Sequence, residues 1–166
     1  MSAQTSTPTL VRNAGSFDRR WFAGGGVHTW LAKSEDTAGT FLLCEMAMQE
    51  GKATPLHTHP ADETLIVLEG ELVLHLDGVE QTVRAGGLAI APAGVPHAFL
   101  VSAGPARMLC LHTPGTCEAF YLGASDPIDA ATTTGVVDFE RVGASARDNG
   151  GIELLGPPPF AVPATP

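Results

Sequence analysis

Positive charge is scarce in this chain: nine Lys and Arg stand against eighteen Asp and Glu, for a net charge of −9. That is the wrong sign for gripping a phosphate backbone or an anionic bilayer, so neither nucleic acid nor a membrane is an expected partner. Cysteine is sparse too. Cys44, Cys110 and Cys117 are odd in number and unevenly spaced, pair as neither a zinc finger nor a redox motif, and read as buried thiols. No apolar run reaches transmembrane length, and Met1 to Thr9 lacks the apolar stretch of a signal peptide, so a cytoplasmic protein is expected. Internal repeats are absent as well, and 166 residues with 44% hydrophobic content suffice for one core but not for two ordinary domains.

What is present is organised as short β-prone runs. Residues 1–9, rich in Ser, Thr and Gln, are expected as a flexible arm, and 10–166 as a single domain. Its barrel core should cover about 27–122 and its C-terminal extension 123–166. Val27 to Ala32 and Thr40 to Met48 read as the first strands, separated by a turn over Ser34 to Gly39. Leu72 to Leu76 and Gln81 to Arg84 flank Asp77-Gly78, whose tolerance of positive φ makes a tight hairpin. Arg107 to His112 is another apolar strand, and Glu118 to Leu122 an amphipathic piece. From Ala124 to Thr134 the start of a short helix is expected rather than a strand, and Val136 to Asp148 has helical character. The tail carries Pro157, Pro158 and Pro159, which supply no backbone donors, and is therefore expected as an extended strap and not a central strand.

Chemistry concentrates between Gly51 and His97. The first part runs Gly51, five residues, His57-Thr58-His59, three residues, Glu63, six residues, Gly70; the second runs Gly86, five residues, Pro92-Ala93-Gly94, two residues, His97. Two histidines one residue apart on an extended segment face the same way, because strand side chains alternate. Glu63 follows the turn at Pro60 and can face them from the next strand, while His97 leaves a rigid Pro-Ala-Gly turn and can close the set from across a barrel. Three nitrogens and one oxygen make a metal site.

Both segments resemble the two sequence motifs of the cupin superfamily in spacing, in glycines, in the Pro-x-Gly turn and in all four ligands, with Val101 standing where many cupins carry a non-ligating asparagine. Together with Leu111 to Gly115 and Glu118 to Tyr121, the chain resembles the single-barrel cupins grouped with bacterial quercetin 2,3-dioxygenases. The resemblance implies an all-β jelly-roll barrel, or double-stranded β-helix, of six to eight strands, followed by a short C-terminal helical segment and a Pro-rich tail. It also implies one divalent metal ion per chain, Ni, Co, Fe, Mn or Zn, held by His57, His59, Glu63 and His97.

In the dioxygenase reading Glu63 is also the catalytic base, removing a proton from an enolic or phenolic hydroxyl of an aromatic small molecule, with dioxygen as second substrate. A metal-dependent isomerase, decarboxylase or cyclase, and a non-catalytic small-molecule-binding cupin, are the alternatives. Leu65, Val67 and Phe99 share the strand parity of Glu63 and His97 and are candidate pocket residues, as are Phe41, Met46, Met48 and Phe120, although apolar strand residues are more often plain core. His75 should face solvent, and His28 and His112 belong to no motif. A homodimer is expected, with Val27 to Leu31 extending a neighbour's sheet.

Overall fold

A computed structural model of the chain describes residues 9–23, 25–129 and 135–161. The expected N-terminal arm, apart from Thr9, and residues 130–134 of the C-terminal extension lie outside the described residues. The described chain runs β1 (Asp18–Phe22), β2 (Gly26–Ala32), a 3₁₀ turn (Ser34–Thr37), β3 (Leu42–Met48), β4 (Leu56–Thr58), β5 (Asp62–Leu76), β6 (Val79–Arg84) and β7 (Leu88–Ala91). It continues through β8 (His97–Thr113), α1 (Glu118–Gly123), β9 (Ser125–Pro127), α2 (Phe139–Asn149) and β10 (Glu153–Gly156). Neither helix is long and apolar enough to cross a membrane.

Two long strands, β5 and β8, organise the barrel. They pair antiparallel from Asp62↔Thr113 to Leu76↔His97, and the register slips between Val67 and Leu72. Gly70 sits in that irregular stretch at φ +80°, and a Cβ there would come within 2.6 Å of the Pro105 carbonyl oxygen. Only glycine fits such a close approach at such a φ. The bend lets each long strand serve two faces. On one face the C-terminal half of β8 pairs with β3, which continues to β2, β1 and β9. On the other its N-terminal end meets β4, which β10 borders. The first half of β5 carries β7 as a neighbour and the second half carries β6.

Alternation places the core between these faces. Trp30 on β2, Leu42, Cys44 and Met46 on β3, and Met108 and Cys110 on β8 are all buried, as period-2 strands with one inward face require. The β5–β6 hairpin turns on Asp77 and Gly78, both at positive φ (48° and 82°), as the sequence indicates. All three cysteines are buried and free, as expected.

The structure departs from expectation at the margins of the barrel. Among the described residues ten strands form, where six to eight were expected, because short edge pieces are added. The segment Asp18–Phe22 pairs with Gly26 to Trp30 of β2, and Ser125–Pro127 makes a strand against β1, although Pro127 and the small polar residues around it suggested a helix start. With β1 on one side and β3 on the other, β2 is an interior strand, so Val27–Leu31 has no free edge with which to extend a neighbour's sheet. In the tail, Glu153–Gly156 is an edge strand on β4 among the described residues, and Pro157 to Pro159 follow it.

Candidate metal centre

The barrel brings the four motif side chains together. His57 lies in β4 opposite His97 at the start of β8, and Glu63, near the start of β5, lies opposite His112 of β8. His59 follows β4, where its carbonyl accepts from the backbone N–H of Gly94 in the Pro-Ala-Gly turn (2.9 Å), tying the two motifs to each other. The potential ligand atoms of His57, His59, Glu63 and His97 all lie within 4.8 Å of one another, and all four residues are buried.

Each imidazole is anchored from behind. Nδ1 of His57 meets the Pro55 carbonyl at 2.8 Å, that of His59 meets Ala61 at 2.7 Å, and that of His97 meets Val95 at 2.7 Å. A carbonyl only accepts, so Nδ1 carries a proton in all three rings, and each Nε2 either presents a lone pair or, when it too is protonated, donates. The Nε2 atoms of His59 and His97 then face Oε2 of Glu63, each at 3.0 Å. Lone pairs from two imidazoles and a carboxylate do not approach that closely without a cation among them, either a proton or a metal ion. Three neutral nitrogens and one carboxylate oxygen, oriented by backbone carbonyls, fit a divalent transition metal.

The electrostatics agree. Burial pushes the Glu63 carboxyl up, but hydrogen bonds from His59 and His97 outweigh it and hold the group well below the usual carboxylate range, so it is ionised. Burial and then the neighbouring His97 bring His57 down to about 4, which keeps it neutral and able to ligate. The Cys110 thiol is pushed up by its contact with Cys44 and by burial, stays protonated, and donates to Glu63 Oε1 at 3.5 Å.

His57 and Glu63 also line a pocket that is open to solvent and that encloses about 640 Å³ with its solvent-filled mouth included. Of the seven candidate pocket residues, Phe99, Phe120, Met46 and Met48 line it. Leu65 and Val67 have the inward parity expected of them but lie beyond Glu63 in the closed core, and Phe41 falls outside the pocket because the inward residues of its segment are Leu42, Cys44, Met46 and Met48. His75 is not free in solvent either: its side chain is 19% exposed, and Phe160 of the tail meets it edge-on.

Several pocket residues were not foreseen. Phe22 of β1, His28 of β2 and Tyr121 of α1 join Phe120 in one wall, while Phe139 and Val142 of α2 and Leu154 of β10 form another. His112 lies behind, its ring 4.8 Å from that of His59 and its Nε2 3.1 Å from the Tyr121 hydroxyl. The one available signal was parity: His28 alternates with Trp30, and His112 with Cys110, which puts both histidines inward once their strands are fixed.

Comparison with known proteins agrees with this geometry. The family model described as "Cupin domain" matches residues 44–112. Over 125 residues the chain is 30% identical to "Quercetin 2,3-dioxygenase" of Bacillus subtilis, an alignment covering 75% of this chain and 36% of that protein. The chain thus spans about a third of the length of the curated relatives it matches. Among solved structures, an RmlC-like cupin from Shewanella frigidimarina superposes with a TM-score of 0.58 at 17% identity, covering 66% of this chain and 94% of the other. The polyketide cyclase RemF from Streptomyces resistomycificus superposes with a TM-score of 0.54 at 25% identity, covering 64% and 80%.

Proposed function

We propose that this chain, whose residues 44–112 match the cupin domain model and whose fold superposes on a cupin, is a metal-dependent dioxygenase of the quercetinase type, acting on an enolic or phenolic aromatic small molecule. The observation that carries this reading is the convergence of three carbonyl-anchored imidazoles on Glu63 at the base of an apolar, aromatic-walled pocket. The curated relative named quercetin 2,3-dioxygenase supports the choice of chemistry.

His57, His59, His97 and Glu63 would hold one divalent ion, whose contribution is Lewis-acid charge stabilisation and a template for an oxygen ligand. The remaining work falls to the chain's own groups. Glu63 is ionised and buried beside the pocket, so Oε2 can take the proton of a substrate hydroxyl, and the resulting oxyanion would be stabilised by the charge of a held ion. Cys110, donating to Oε1, leaves Oε2 as the oxygen turned toward the imidazoles. Met46, Met48 and Phe99 pack the substrate's ring and exclude water.

The test is elemental analysis of the purified protein followed by oxygen-electrode measurements with quercetin and other enols. Metal at one ion per chain together with oxygen uptake is the expected result; a metal-loaded protein that consumes no oxygen with any of them would reject the dioxygenase reading. One neighbour supports a second reading, the cyclase at 25% identity. A metal-dependent cyclisation or isomerisation would use the same base and the same pocket, and would turn over substrate under nitrogen.

A further inference from the structure

The wall of the pocket away from Glu63 holds two polar groups that the metal reading leaves unused, Tyr121 and His28. Their rings meet at 5.5 Å, both are buried, and both line the pocket. His28 is stacked nearly parallel on Phe22, with ring centroids 4.8 Å apart and planes 8° from each other. Its Nδ1 is buried with no hydrogen-bond partner among the described residues.

Hydrogen-bond bookkeeping settles which way these groups point their protons. Burial drives His28 down to about 3, so the ring is neutral and carries a single N–H. A buried N–H with no acceptor is rarer and costlier than a bare ring nitrogen, so the proton belongs on Nε2 and not on the enclosed Nδ1. The same reasoning applies to His112, whose Nδ1 is likewise buried and unpartnered. Its proton then sits on Nε2 and is donated to the Tyr121 oxygen at 3.1 Å. With its oxygen already accepting, the Tyr121 hydroxyl has its own proton to give, and burial keeps that phenol protonated. The pocket therefore offers two donors on an aromatic wall.

We propose that Tyr121 and His28 are a two-donor recognition pair that selects planar aromatic ligands carrying an acceptor oxygen, a ring carbonyl above all. The pair deepens the proposed function, on which it rests for the assumption that this pocket is the substrate site. Phe22, Phe120 and Phe99 supply flat apolar surface to such a ring. Among the described residues no Lys or Arg lines the pocket, so a phosphorylated or carboxylated ligand finds no partner cation there beyond a bound metal. A buried donor also discriminates strongly, because a ligand without the oxygen leaves the donor unpaired.

The experiment uses the metal-loaded protein and a matched pair of probes, chromone and 4H-chromene, which share a bicyclic skeleton and its ring double bond and differ only at the ring carbonyl. Calorimetric titration should show chromone binding at least ~10-fold more tightly than 4H-chromene, a difference of about 1.4 kcal/mol. Tyr121→Phe and His28→Phe keep a ring in place and remove a donor, and each should shrink that preference without changing metal content. Should either variant fail to fold, the other decides. A parent protein that binds both probes equally, or neither, overturns the proposal, as does a preference that survives in the folded variants. The two readings fail separately: no oxygen uptake with quercetin alongside an intact chromone preference would discard the dioxygenase and leave the recognition pair standing.

Discussion

Oε2 of Glu63 lies 3.0 Å from Nε2 of His59 and 3.0 Å from Nε2 of His97, so one carboxylate oxygen bridges both motifs. A group so placed can serve as ligand, as base, or as both, and glutamine separates the roles because it keeps the shape while losing charge and basicity. Glu63→Gln should weaken metal binding without abolishing it, since three imidazoles remain. Turnover per bound metal should fall by ~100-fold to ~10,000-fold, the usual loss of a general base. Equal turnover per metal would make Glu63 a ligand only.

The three imidazoles should behave differently. His57→Ala, His59→Ala and His97→Ala each remove one anchored nitrogen donor, so their activity loss should follow metal loss measured by elemental analysis. Adding metal should raise the melting temperature of the parent more than that of each variant, because a ligand of the folded state stabilises it.

His75 provides the control. It lies on the β5–β6 hairpin with Nδ1 4.0 Å from Glu80 and Phe160 packed edge-on, apart from the four clustered ligands. His75→Ala should keep full metal content and lose no more than about 1 kcal/mol of stability. An emptied site in this variant would show that the strand parity assigned to β5 is wrong.

The buried neutral His28 predicts how acid acts on the fold. Unfolded, it titrates near 6.5; folded, near 3. Between those values the unfolded chain holds a proton that the folded chain does not, so stability is present above 6.5 and lost as pH falls toward 3. His112, brought down to about 4, acts in the same direction. In denaturant titrations at pH 4 to 6, His28→Phe should therefore lessen the pH slope by up to about 1.4 kcal/mol per pH unit, the equivalent of one proton. An unchanged slope would show that His28 is not a source of the acid sensitivity.

Gly70 tests the bend in β5. At φ +80°, with the Pro105 oxygen 2.6 Å from a would-be Cβ, Gly70→Ala adds left-handed strain and a backbone clash together. A loss of roughly 2 kcal/mol or more is expected in chemical denaturation. By contrast, Gly51→Ala has left-handed strain but open space around it, and should cost less.

The legible part of this protein was the part whose signal is local. His57 and His59 share a face because they are two residues apart, and Asp77-Gly78 turns because its residues tolerate positive φ; no distant contact is needed to infer either. The margins were illegible for the opposite reason. Asp18–Phe22 reads as a charged segment with no alternation, and becomes a strand by pairing with β2. Pro127 argues against a strand, yet is tolerated because β9 is an edge that pairs with β1 alone. Tyr121 sits in a six-residue helix too short to declare a face, and it meets His112 and His28 only after the extension folds back onto the barrel.

The strand β10 runs beside β4 with Leu154 opposite His57, and Leu154 also borders the pocket, as do α1 and α2. The candidate ligands thus come from residues 57–97, while much of the pocket's rim comes from beyond residue 118 and part of it, His28 included, from before residue 57. Affinity for the ion and taste for the organic guest are consequently written largely on separate lengths of the polypeptide. Exchanging the segment from Glu118 to Gly156 for another of similar length would alter the guest that is taken while leaving the four candidate coordinating side chains in place.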